Sequence, residues 1–76
     1  MDKSNRPTYA QIETIYRWIE WHLPTAKARD AIQWFKNNAT KQEASSEIKR
    51  LYDLYHSHSL NKDECFNSKV WERYDR

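Results

Sequence analysis

Apolar residues recur at helical steps in several stretches of this chain, and polar or proline residues punctuate each one. The clearest runs from Thr40 to Tyr55. Ala44, Ile48, Leu51 and Tyr55 follow at intervals of four, three and four, drawing one apolar stripe down a helix of 3.6 residues per turn. Lys41, Gln42, Ser45, Lys49 and Asp53 fall on the other side, toward water or a partner. Thr40 is a natural N-cap, and Glu43 three residues later completes a capping box, each side chain meeting the other residue's backbone amide. Thr8 and Gln11 repeat that grammar ahead of Ile12, Tyr16, Ile19 and Leu23. Ile15, Trp18 and Trp21 widen this second stripe, which predicts a helix touching more than one neighbour. Pro24 ends it, because the residue before proline is pushed out of the helical region.

Thr25 reads as the N-cap of a further helix, with Ala28, Ile32 and Phe35 on one face and Ala31 close by. Asn37-Asn38 reads as its left-handed C-terminus in a chain without glycine. The Thr40 helix should fade around His56–Ser59. Asn61 to Glu64 then predicts the cap of a last short helix, with Phe66, Val70 and Tyr74 four apart and Trp71 beside Val70. The fold class is therefore all-α: a single compact bundle of three to four short helices spanning residues 1–76, with 1–6 a polar, disordered tail.

Laying Thr8 on Thr40 exposes an internal echo, in which Ile12, Tyr16, Ile19 and Leu23 match Ala44, Ile48, Leu51 and Tyr55. Duplication and the shared grammar of two capped amphipathic helices both account for it. The pair Thr8-x-x-Gln11-Ile12-x-x-Ile15 and Thr40-Lys-x-Glu43-Ala44-Ser45-x-x-Ile48-x-x-Leu51 resembles a small helical module of unknown function. That module recurs in phage and bacterial proteins, often beside nucleic-acid-processing domains. The resemblance covers about residues 7–52; the chain departs from the pattern in its wealth of tryptophan, and its Cys65–Trp71 tail lies outside the match. It implies a helical adaptor or regulator in a phage or mobile-element setting, with no catalytic residues.

Composition sharpens this picture. A chain of 76 residues has room for one small core, and a domain of that size buries only about 60% of its unfolded surface. The 4 Trp, 5 Tyr and 2 Phe are its main source of buried area. With Gly absent, the primed turns of hairpins and glycine-rich phosphate loops are disfavoured. A charged fraction of 32% leaves no membrane-spanning stretch. Cys65 is alone, so no internal disulfide can form, which points to a reducing, cytoplasmic setting. A net charge of +2 permits nucleic-acid binding without demanding it.

Candidate chemistry is sparse. His56, His58 and Cys65, with Asp63 and Glu64 nearby, form the one metal-like cluster, but histidines at i and i+2 on a helix point apart and only one thiol is present. No metal and no cofactor is expected. Glu47 and Asp53, six apart, do not share a helix face, and nothing places a base beside Cys65, so no enzyme is expected either. Four Trp and five Tyr are more aromatic surface than this core can hide. Trp18, Trp21, Trp34 and Tyr52, at the margins of their stripes, are the candidate anchors for a protein partner, including a second copy in a homodimer. The alternative is nucleic acid: residues 28–50 sketch a helix-turn-helix, with Lys41, Gln42, Ser45 and Lys49 on the front of its second helix. Glu43 and Glu47 on the same helix argue against it.

Overall fold

The computed structural model describes residues 5–74 and contains three α-helices: α1 (Tyr9–His22), α2 (Thr25–Asn38) and α3 (Lys41–His56). Two 3-10 turns follow, Glu64–Phe66 and Val70–Arg73. Both capping boxes are formed. The Thr8 hydroxyl accepts from the Gln11 amide at 3.1 Å while the Gln11 side chain accepts from the Thr8 amide at 3.0 Å. Thr40 and Glu43 exchange the equivalent bonds at 3.1 and 2.9 Å. α1 stops where proline demands it, since Leu23, just before Pro24, is extended at φ −131, ψ 156.

Three local expectations are corrected. Pro24, not Thr25, occupies the N-cap position of α2 and offers no side-chain bond; Thr25 is already helical. Asn37 and Asn38 do not turn left-handed. Both remain in α2, their side-chain amides donating to the carbonyls of Gln33 and Trp34 at 3.0 and 2.8 Å. The chain leaves α2 through Ala39, extended at φ −91, ψ 165. The left-handed residue is His58 instead, at φ 60. It closes α3 with the paired bonds of a Schellman motif, His58 N–H to Tyr55 O at 3.1 Å and Ser59 N–H to Leu54 O at 2.8 Å. The last short helix is resolved into the two 3-10 turns. Asn61 does cap the first, accepting from the amides of Asp63 and Glu64, but Asn67 (φ −91, ψ 70) interrupts any continuous helix.

Helices α1 and α3 run parallel. The Gln11 amide reaches the Lys41 carbonyl at their N-terminal ends, at 3.5 Å, and the rings of Trp21 and Tyr55 meet at their C-terminal ends, with centroids 6.0 Å apart. α1 is the central element, packing against both other helices, which share few contacts of their own. Its broad apolar stripe is thereby explained. Ile15 and Ile19 from α1, Ala28, Ala31 and Phe35 from α2, and Ala44 and Leu51 from α3 are fully buried. The alanines let the helices approach closely.

The C-terminal segment completes the core. Trp71 is 2% exposed, with its ring 5.0 Å from Phe35 and 4.7 Å from Phe66. Its indole N–H donates at 2.9 Å to the Glu47 carboxylate, itself only 3% exposed. Arg50 grips the same carboxylate at 2.7 and 3.2 Å and also donates to the carbonyls of Glu64 and Cys65 at 2.7 and 2.8 Å. A buried carboxylate is tolerated because it is fully partnered. Arg73 adds a second tie, to Glu43 at 2.7 Å and to the Asn38 carbonyl at 3.3 Å, and the Tyr74 hydroxyl donates to Asp30. Of the expected N-terminal tail, residues 1–4 lie outside the described residues, while Arg6 donates to the Ala39 carbonyl at 3.0 Å.

Candidate binding face on α1 and α3

The aromatic candidates are divided between two places. Trp21 is 68% exposed and Tyr52 52%. Trp18 is half-buried against the core and, with Thr14, Arg17 and Trp21, lines a shallow groove of about 610 Å³ along α1. Trp34 is elsewhere. It is half-buried on α2, 5.7 Å from Trp71 and 5.3 Å from Tyr74, under the Arg73 guanidinium at 5.9 Å. It serves the clasp of the C-terminal segment and does not join Trp18 and Trp21.

What joins Trp21 is Tyr55, which the stripe along α3 assigns to the core but which is 45% exposed. The stripe outruns the core by one turn: Leu51 is its last fully buried member. Tyr55 lies against Trp21, meets His56 edge-on at 5.4 Å, and His56 in turn lies 4.2 Å from Tyr52. Three and four residues apart on one helix, Tyr52, Tyr55 and His56 are neighbours by geometry. The parallel α1 brings Trp21 alongside, making a continuous aromatic ribbon across the two helix ends.

The residues singled out for nucleic acid run into this ribbon. Lys41, Ser45 and Lys49 are exposed, and with Tyr52 and His56 they succeed one another at steps of four, four, three and four along a single line of α3. Gln42 lies beside it, also exposed. The acidic residues that seemed to spoil this helix point away. Glu43 is engaged by Arg73 and Glu47 by Arg50, both under the C-terminal segment. Hydrogen bonding from Arg73 holds the Glu43 carboxyl below its ordinary value, and only burial opposes that shift. Asp53 is the acidic neighbour left at the line's far edge. On α1, Glu13 and Glu20 line the same groove as Thr14, Arg17 and Trp21; Glu13 pairs with Arg17 at 3.6 Å and the Tyr16 hydroxyl donates to Glu20 at 3.3 Å. Because α2 and α3 share few contacts, the pair lacks the close mutual packing of a helix-turn-helix.

The remaining chemistry is muted. Cys65 is fully buried, and burial pushes its thiol up to about 11 despite the Arg50 charge nearby. Among the described residues no three His, Cys, Asp or Glu side chains converge as a metal set. An open groove of about 1090 Å³ separates α2 from the C-terminal segment, lined by Leu23, Phe66, Trp71 and Tyr74 and by charges of both signs. No described helix is long and apolar enough to cross a membrane. No protein-family model, no curated protein and no solved structure matches this chain.

Proposed function

We propose that this domain acts without catalysis, as a small binding module, and that it docks its partner on the face where α1 and α3 lie side by side. The observation that carries this reading is the convergence of Trp21, Tyr55 and Tyr52, three of the large hydrophobic side chains most exposed to water, into one ribbon. Clustered exposed aromatics mark interaction sites. The docking role expected of the aromatics is thus kept, but it moves from Trp34 to Tyr55. A regulator or adaptor in a phage or mobile-element setting is the role that the sequence resemblance adds.

Immobilised wild-type domain and a Trp21→Gln/Tyr55→Gln variant, compared for what each retains from a bacterial lysate with and without nuclease, test this reading. Both proteins should melt within a few degrees of each other, and the variant should lose what the wild type retains. A variant that unfolds, or one that retains the same molecules, removes this face from consideration.

A further inference from the structure

We infer that the occupant of this face is a single-stranded nucleic acid, its phosphates tracking Lys41 and Lys49 and its bases stacking on the Tyr52–Tyr55–Trp21 ribbon. This rests on the docking face proposed above and names what fills it. Charge complementarity selects the occupant. The line Lys41–Ser45–Lys49–Tyr52–His56 presents cations, a hydroxyl and rings in sequence, and Arg17 adds a cation on the α1 side, its side chain 75% exposed despite an ion pair with Glu13 at 3.6 Å. From Lys41 to Tyr52 the rise along the helix is about 16 Å, enough for a few nucleotides. Two features separate this face from a plain solvated helix. Two of the three carboxylates of α3 that could repel a phosphate chain, Glu43 and Glu47, are drawn away by Arg73 and Arg50, and Asp53 alone stays on this side, beside Lys49 and Tyr52. The aromatic rings sit at one end of the cationic line, where a backbone held at the lysines would deliver its bases. Single-strand sites combine a cationic track with stacking rings in this way, and they tolerate sequence because every base offers a flat face. A duplex keeps its base faces stacked inside and could use only the lysines.

Fluorescence anisotropy of a labelled oligothymidylate of about a dozen nucleotides, titrated with the full chain, tests the inference, with a duplex of equal length in parallel. Two phosphate contacts predict a log–log salt slope of about −1.4, hence a roughly seven-fold loss of affinity between about 50 and 200 mM salt. Lys41→Gln/Lys49→Gln should flatten that slope. Tyr52→Ala should weaken binding about five-fold or more and leave the slope unchanged. All of these substitutions are at exposed positions, and circular dichroism should report an intact fold. Absence of an anisotropy change at about 50 mM salt, binding indifferent to the substitutions, or tighter binding of the duplex overturns the inference. A protein retained from nuclease-treated lysate through Trp21 and Tyr55, with no oligothymidylate binding, also overturns it while leaving the docking face standing.

Discussion

At the scale of single residues, two side chains sit where chemistry disfavours them, and each makes a prediction. His58 adopts a left-handed backbone at φ 60, which costs a residue with a Cβ about 1–2 kcal/mol and glycine almost nothing. His58→Gly should therefore stabilise the domain by about 1 kcal/mol, raising the thermal midpoint by roughly 4–8 °C. A melt showing no rise would mean that the Schellman closure does not limit α3. Glu47 is the second. In the internal echo it takes the place of Ile15, a charge where the sister helix buries a hydrocarbon. Glu47→Ala leaves the Trp71 indole and the Arg50 guanidinium without their shared acceptor, and removing one member of a buried ion pair costs about 3–5 kcal/mol. Urea titration should find the variant largely unfolded. A loss below about 1 kcal/mol would show water replacing the carboxylate.

At the scale of elements, the helix ends before Pro24, at Asn38 and at His56 and the starts at Thr8 and Thr40 were legible, while the cap geometry of α2 and the form of the last segment were not. Thr8 and Thr40 announce their helices because a capping box is written in side chains only three residues apart. Thr40→Ala should cost about 1 kcal/mol in a denaturant titration, and an unchanged midpoint would place the start of α3 elsewhere. Thr25, Asn37 and Asn38 misled because a residue's propensity for a cap is weaker than the geometry imposed by Pro24 and by the short connection through Ala39. The last helix was misread for a related reason. The spacing of Phe66, Val70 and Tyr74 suits an α-helix, yet the segment is fixed by long-range bonds from Arg50 and to Glu47 and Asp30, which no local pattern records. The same blindness hid Glu47, although a tryptophan needing an acceptor was a signal. Glu43 carries the cap and the tail together. Its pKa is depressed from 4.5 by Arg73, so its contribution is complete above that value and is lost as pH falls through the lower folded value. Arg73→Ala should flatten the acid limb of a stability profile measured from neutral pH down to about 3, and an unaltered limb would show that the pair contributes nothing.

At the scale of the whole molecule, the aromatic residues divide the labour. Trp34, Trp71, Phe66 and Tyr74 bind the C-terminal segment to the bundle, while Trp21, Tyr52 and Tyr55 stay exposed to water. The candidate face was half-legible: Trp21, Tyr52 and the lysines can be read from stripe margins, but Tyr55 needs the knowledge that the core ends at Leu51. Trp71→Ala should unfold the domain at ordinary temperature, because truncating a buried Trp costs about 3–5 kcal/mol, as much as a core of this size supplies. A cooperative melt above about 45 °C would contradict that. The clasp also governs time. Glu47 meets Arg50 within its own helix, but its other donor, the Trp71 indole, lies 24 positions on, and the Asn38 carbonyl accepts from an arginine 35 positions away, so the clasp closes only once the chain is present through Arg73. Ties of such sequence separation are among the slower ones to close in folding.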